Sequence, residues 1–211
     1  MTSFVELKNS LAELRNDSIV VRLFPWEEIR AREVGVGRVN QNKDKGNRIS
    51  YDETKLMSDN VLASIHAAVA EVGVARCLQG YWHASVWEDH HDVYKELPDV
   101  EWGGVEVEVK WRRSAFDIPV DRKDAERNRL LIWAEGRLAK HYGCACSFCE
   151  QFSTPAQYSR VRVLGGGYTS ELWELGKIYN DDPNRMAVPI NRLTGIRTIL
   201  QQNNVGLAGA G

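Results

Sequence analysis

Amphipathic and apolar patterns alternate in the N-terminal part of the chain. The hydrophobic positions of FVELKNSLAELR, residues 4–15, predict a short amphipathic helix, and the apolar run SIVVRLF follows it. Pro25 is suited to open a second helix, because acidic residues stand in its first turn, where the helix dipole favours them. Residues 38–57 are polar and partly basic, which predicts an exposed connector.

The clearest helical pattern covers residues 60–78, with Ser58 or Asp59 available as its N-cap. Its apolar positions fall near one stripe: Val61, Ile65, Ala68, Val72 and Ala75. The segment is rich in alanine, so the helix can approach a sheet closely. Glu71 stands beside this stripe, and taken alone it is typical of a solvated helix face.

Residues 105–111, VEVEVKW, predict a strand that starts after a turn at Gly103 and Gly104. Side chains alternate between the two faces of a strand. One face therefore carries valines and Trp111, and the other carries Glu106, Glu108 and Lys110. Such a charged face is either simply solvated or part of an active site.

The remaining patterns predict a mixed architecture. Residues 129–136 are strand-like, residues 159–179 predict a strand, a hairpin turn at the glycines 165–167 and a second strand, and residues 187–200 predict a closing helix. Residues 112–128 are a charged connection. We expect an α/β or α+β fold with a mixed central β-sheet flanked by helices. The predicted divisions are an N-terminal helical and basic extension (1–57), a core (58–200) and a flexible tail (201–211).

Composition limits the functional classes. The chain of 211 residues is 43% hydrophobic and 27% charged, which is typical of a globular protein with a sizeable core. Its net charge of −2 gives no overall basic signature, so any nucleic-acid binding needs a local patch. We expect no run to approach the length of a membrane span, and the N-terminus lacks a signal-peptide pattern, which predicts a soluble protein of the cytoplasm.

Four side chains around the alternating strand have the chemistry of metal-assisted phosphodiester hydrolysis. Asp99 precedes the glycine turn, Glu108 and Lys110 share a strand face, and Glu71 lies on the preceding helix. Carboxylate oxygens are suited to Mg²⁺ or Mn²⁺, which acidifies a bound water and polarises a phosphate. A lysine beside the metal stabilises the developing phosphate charge or positions the water.

The segment from "PDV" to "VEVK" resembles the core motif of the PD-(D/E)xK nuclease superfamily, and "AEVGVARCLQGYW" with Glu71 resembles its upstream helix. The likeness covers residues 58–135, and "NRMAVPINRL" more loosely resembles phage-encoded proteins of this type. The resemblance implies a restriction-endonuclease-like core acting on DNA, often as a homodimer, in the cytoplasm of a bacterium or a phage-infected host. It also implies that Asp99 and Glu108 bind Mg²⁺, that Lys110 is catalytic and that Glu71 is an accessory ligand. Glu106 competes with Glu108 for the ligand position.

Basic residues near this motif are candidate phosphate contacts. Residues 110–129 contain seven basic and four acidic side chains. The candidates are Arg112, which shares the face of Lys110, together with Arg113, Lys123 and Arg38. For each residue taken alone, a solvated position is the simpler interpretation.

A cysteine-rich insertion near residues 141–149 offers a separate metal hypothesis. His141, Cys144, Cys146 and Cys149 contain the ligand types of a tetrahedral zinc site, although all four come from nine residues. Adding Cys77 provides four thiolates for an iron–sulfur cluster, which some members of the nuclease superfamily carry. The other interpretation of Cys77 is a buried free thiol.

Three functional classes remain open on the sequence. The first is a metal-dependent DNA nuclease, and the second is a catalytically inactive module with the nuclease fold that binds nucleic acid or protein. The third is a protein whose chemistry is centred on the cysteines. Metal binding and DNA cleavage discriminate the first two, and elemental analysis tests the third.

Overall fold

The computed structural model describes residues 3–44, 57–84, 97–111, 116–137 and 159–208. Within these ranges the helices are α1 (Phe4–Asp17), α2 (Pro25–Asp44), α3 (Met57–Leu78), α4 (Arg122–Glu126), α5 (Thr169–Leu175) and α6 (Ile196–Ala208), with a 3-10 turn at Ile190–Arg192. The strands are β1 (Ile19–Arg22), β2 (Tyr81–Trp82), β3 (Val100–Trp102), β4 (Val105–Trp111), β5 (Asp117–Asp121), β6 (Leu130–Arg137), β7 (Arg160–Tyr168), β8 (Lys177–Tyr179), β9 (Asp182–Pro189) and β10 (Thr194–Gly195).

A mixed central sheet organises the fold. Its strand order is β1-β7-β6-β4-β3-β2, and β10 also pairs with β7. Strands β4 and β6 run parallel, while the other pairs are antiparallel. Strands β5, β9 and β8 form a second, smaller sheet. The predicted fold class, a mixed central sheet flanked by helices, is confirmed.

Helix α3 packs on one face of the central sheet. The predicted stripe is buried there, with Ile65, Ala68, Val72 and Ala75 in the same hydrophobic core as residues of β4, β6 and β7. Further apolar residues of α3, including Val69 and Val74, are also buried, because α2 covers another side of the helix. The small alanine side chains allow both neighbours to approach.

The opposite face of the central sheet has its own hydrophobic core. Leu131 and Trp133 of β6 point to this face, while their neighbours Leu130 and Ile132 belong to the first core. Side chains from β5, β9, α1 and α5 complete the second core. Because β6 is buried on both faces, its sequence is continuously apolar rather than alternating.

The alternation predicted for residues 105–111 is confirmed. Val107 and Val109 are buried in the core beneath α3, and Val105 and Trp111 pack against that core. The charged residues occupy the other face. Strand β4 therefore anchors its polar side chains through apolar residues on its opposite side.

Four local predictions differ from the structure. The glycines 165–167 lie inside β7 rather than in a turn, because backbone from both neighbours comes close: a Cβ on Gly166 would collide with the Leu131 carbonyl. Residues 169–175 form helix α5 instead of a strand, and residues predicted to belong to a closing helix form β9 and β10. Residues 117–126, predicted as a connection, contain β5 and α4.

Several predicted boundaries also move. Helix α2 continues through residues 38–44, α3 already begins at Met57, and α6 continues to Ala208, into the region predicted as a tail. Strand β1 pairs with β7, so the N-terminal region contributes to the central sheet. The division of the chain into an extension and a core stays a prediction.

The segment Asn60–Leu78 of α3 is long and apolar enough to cross a membrane, contrary to the expectation that no run reaches that length. Most of this segment is buried inside the structure, however. That is the position of a core helix in a soluble protein. Cytoplasmic location stays a prediction.

Candidate active site

The polar face of β4 carries a close carboxylate–ammonium pair. Lys110 Nζ donates a hydrogen bond to Glu108 Oε1 at 2.8 Å. The two residues are separated by one position, so their side chains leave the strand on the same face. Burial opposes the charge of Lys110, but the attraction of Glu108 and Asp121 outweighs it and raises the pKa of the ammonium. Lys110 is therefore a cation at neutral pH.

Asp99 is held at the end of the β3–β4 ladder. The pairing of these strands ends at Val100 opposite Val107, one residue after Asp99 in the chain. The Asp99 carboxylate accepts the backbone N–H of Val109 at 2.8 Å, and the Asp99 carbonyl accepts that of His83 at 3.2 Å. This arrangement holds the carboxylate against the backbone between Glu108 and Lys110.

Glu71 is buried, contrary to the solvated position that its place on the helix predicts in isolation. It is 4% exposed. Both of its carboxylate oxygens are bound by the Arg38 guanidinium, at 2.6 and 2.9 Å, and Trp82 Nε1 donates to Glu71 at 2.9 Å. Helix α2 and the edge strand β2 therefore supply the side chains that hold the Glu71 carboxylate in place.

These groups form one electrostatic cluster. Burial raises the pKa of Asp99 well above its usual value, and the negative charges of Glu108 and Glu71 add to this effect. Arg38 is stabilised as a cation by Glu71 and also by Asp99 and Glu108, which together raise its pKa although burial opposes them. The structure thus brings together Glu71, Asp99, Glu108 and Lys110, the four residues that the sequence selected.

The geometry favours Glu108 over Glu106 as a member of this cluster. Glu106 receives a hydrogen bond from Arg129 Nε at 2.8 Å, and its side chain is 44% exposed. Glu108 is 14% exposed and lies beside Lys110. Burial tends to raise the pKa of Glu108, but Lys110, Lys123 and Arg129 outweigh it and lower the pKa, which keeps this carboxylate ionised.

Four neighbours of the cluster were not selected from the sequence. Arg129, which is 2% exposed, bridges Glu106, Glu108 and Asp124. Asp121 lies 3.3 Å from Lys110 Nζ and 2.6 Å from Arg185 Nε. Asp121, Asp124 and Arg129 lie in or directly after the segment predicted as a charged connection, and Arg185 lies in the second sheet, so no motif marks them. The residues are Arg129, Asp124, Asp121 and Arg185.

The predicted phosphate contacts have different positions. Arg38 is engaged with Glu71, and Lys123 is exposed near Glu108 at the start of α4. Arg112 and Arg113 lie outside the described residues, as do His141, Cys144, Cys146 and Cys149. Their predicted roles stay predictions. Cys77 is a partly buried free cysteine, and burial raises the pKa of its thiol to about 11.

Within the described residues, no three His, Cys, Asp or Glu side chains are arranged as a ready metal cage. Arg38 and Lys110 instead neutralise the carboxylates of Glu71 and Glu108. Comparisons of the chain with protein-family models, curated proteins and solved structures found no match.

Proposed function

We propose that the chain is a metal-dependent DNA nuclease of the PD-(D/E)xK type that hydrolyses phosphodiester bonds. The observation that carries this proposal is the clustering of Glu71, Asp99, Glu108 and Lys110 around one end of the β3–β4 pair. These residues come from a helix, a loop and a strand. Their spacing in sequence is that of the nuclease motif, and their side chains act on one another in the fold.

The donor set consists of carboxylate oxygens, the ligand type that a hard divalent cation takes, although the described residues form no ready metal cage. Burial opposes ionisation of Asp99, the negative charges of Glu108 and Glu71 oppose it further, and an added cation would relieve that repulsion. Asp99 and Glu108 would hold Mg²⁺ or Mn²⁺ through oxygen, with Glu71 as an accessory ligand. A cation bound there supplies the polarisation of a phosphate and the acidification of a water.

The side chains of the protein would perform the remaining tasks. Lys110 is a partly buried cation with three N–H donors, so it can donate to a non-bridging phosphate oxygen as negative charge develops there. Val107 and Val109 hold the strand rigidly beneath Glu108 and Lys110. Lys123, exposed near the cluster, is the described residue best placed for a contact to a neighbouring phosphate.

The direct test is cleavage of linear, circular, flapped and single-stranded DNA by the native protein with Mg²⁺ or Mn²⁺. Lys110→Ala is expected to lower cleavage by at least about 100-fold, the scale of losing one charge-stabilising donor. Lys177→Ala, which removes an exposed lysine of β8, is the matched control and should retain full activity. A folded Lys110→Ala protein with native activity would refute the assignment.

The second candidate function is a nucleic-acid- or protein-binding module without catalysis. The internal pairing of Glu71 by Arg38 and of Glu108 by Lys110 favours it, because both carboxylates already have cations. In that case calorimetry with Mn²⁺ or Mg²⁺ shows no binding, and no form of DNA is cleaved. DNA as partner, a homodimer and a cytoplasmic location belong to the proposal in the same way, and so does zinc or an iron–sulfur cluster at the cysteines.

A further inference from the structure

Lys110 has a second carboxylate partner that does not belong to the nuclease motif. Its Nζ atom lies 3.3 Å from Asp121 Oδ2, in addition to the 2.8 Å hydrogen bond to Glu108. Asp121 is the last residue of β5 and belongs to the smaller sheet, whereas Glu108 belongs to the central sheet. The ammonium is thus held between the two sheets of the protein.

Asp121 is itself fixed in place. Arg185 Nε donates to Asp121 Oδ1 at 2.6 Å, and the two residues are direct cross-strand partners of β5 and β9. Strand β5 is anchored by Ile118 and Val120, which are fully buried in the second core. The Asp121 carboxylate therefore binds Arg185 through one oxygen and Lys110 through the other.

We propose that Asp121 and Arg185 form a positioning pair that aims the Lys110 ammonium at the substrate phosphate. The inference rests on the proposed nuclease function and extends it to two residues outside the motif. Lysine has a long flexible stem and three N–H donors, so a single partner leaves its direction undetermined. Glu108 and Asp121 together use two donors and leave the third for the phosphate.

The pair has its greatest effect when Glu108 is shared with a metal ion. Glu108 would then serve both the metal and Lys110, whereas Asp121 would keep one carboxylate oxygen on the ammonium and the other on Arg185. A misplacement of a catalytic group by about 1 Å costs on the order of 100-fold in rate. We therefore expect the pair to act on kcat rather than on substrate binding.

The test uses Asp121→Asn, which keeps the size of the side chain and removes its charge. We expect kcat to fall about 10- to 100-fold, with KM and the affinity for DNA in Ca²⁺ changed by less than about threefold. Asp121→Glu should recover part of kcat, and Arg185→Gln should lower it by a smaller factor. The matched control is Asp117→Asn, an exposed aspartate at the other end of β5, which should retain native kinetics.

A measurement independent of activity accompanies the kinetics. Lys110 is labelled with an amine-reactive reagent and followed by peptide mass spectrometry, with exposed Lys177 as the internal reference. Asp121→Asn should increase labelling of Lys110 several-fold and leave Lys177 unchanged. If Asp121→Asn is unstable, Arg185→Gln takes its place in both measurements.

Native kcat in Asp121→Asn, or an equal loss in Asp117→Asn, would overturn the positioning pair while the nuclease assignment stands. If the native protein cleaves no DNA, the proposed function fails, and labelling alone decides whether Asp121 orders Lys110. Unchanged labelling of Lys110 in the variant would then refute the pair as well.

Discussion

Arg38→Met should strongly destabilise the protein, because it leaves the Glu71 carboxylate buried without its cation. Glu71 is 4% exposed, and Arg38 binds both of its oxygens. Removing one partner of a buried ion pair costs about 3–5 kcal/mol. The Arg38 side chain is 20% exposed, and Trp82 still donates to Glu71, so we expect a loss of about 2–4 kcal/mol.

Urea unfolding followed by circular dichroism measures this loss directly. Thermal unfolding gives a second readout: in a chain of this size, 1 kcal/mol shifts the melting temperature by about 2–4 °C, so the melting temperature should fall by roughly 5–15 °C. Arg30→Met is the matched control on the same helix. Its partner Glu33 and Arg30 itself are 59% and 54% exposed, and such pairs contribute at most about 0.5 kcal/mol.

Two further measurements test the pairing of Glu71 with Arg38. In the double variant Arg38→Met/Glu71→Met no unpaired charge is buried, so stability should recover part of the loss. Mn²⁺ should raise the melting temperature of Arg38→Met more than that of the native protein, because the carboxylates lack their internal cation. Equal stability of Arg38→Met and Arg30→Met would refute the description of Glu71 as a buried, paired carboxylate.

Three other predictions concern the scaffold. Gly166→Ala should prevent stable folding, because the added Cβ would collide with the Leu131 carbonyl. Gly104→Ala should cost only about 1 kcal/mol, because φ is +82° there but the space around the residue is open. Thermal unfolding of both variants checks this contrast. Cys77 of the folded protein should be alkylated about 100-fold more slowly at pH 8 than Cys77 of the unfolded chain, because burial raises the pKa of its thiol from 9.0 to about 11. Peptide mass spectrometry measures the alkylation rate, and equal rates in the two states would contradict the burial of this thiol. Val107→Ala should lose about 1–3 kcal/mol in urea unfolding, since Val107 is fully buried under α3; an unchanged midpoint would contradict that packing.

Much of the candidate site could be predicted from the sequence, because its central strand, β4, is recognised from a few neighbouring residues. Alternation along β4 places Glu108 and Lys110 on one face, and a two-residue turn brings the segment before β3 back beside β4. Asp99 therefore falls near Glu108 by chain geometry alone. The alternation of polar and apolar residues along a strand and the residue types of a turn depend on a few neighbouring residues, so both can be recognised without knowledge of the fold.

The side chains that pair with the site residues could not be predicted from the sequence, because these pairs depend on the packing of different elements against one another. Arg38 reaches Glu71 only because α2 packs on α3, and Asp121 reaches Lys110 only because the smaller sheet covers one face of the central sheet. Considered alone, each of these residues is typical of a solvated position. The burial of Glu71 shows how tertiary contacts override an expectation drawn from one helix.

Glycine was the most misleading local signal. Three consecutive glycines predict a turn, yet residues 165–167 continue β7. Strand β7 is paired with β6 and also with the short strand β10, whose Gly195 lies opposite Gly165. Small residues here permit a close approach of backbones rather than a reversal of the chain. Sequence alone does not separate these two uses of glycine.

The energetic cost of the charged cluster bears on the choice between nuclease and binding module. Buried ion pairs rarely stabilise a fold more than apolar residues of similar volume, because the desolvation of both charges opposes their attraction. Here Glu71 is buried with Arg38, Glu108 is partly buried with Lys110, and Asp99 adds a third carboxylate whose ionisation is opposed by burial and by the charges of Glu108 and Glu71. A strand with a purely structural role would be more stable without that repulsion. Groups with strongly perturbed ionisation cluster at functional sites, and an inactive descendant freed from selection for catalysis would be stabilised by losing them. Their joint presence on one end of the sheet therefore supports the proposal of a functional site over that of an inactive module.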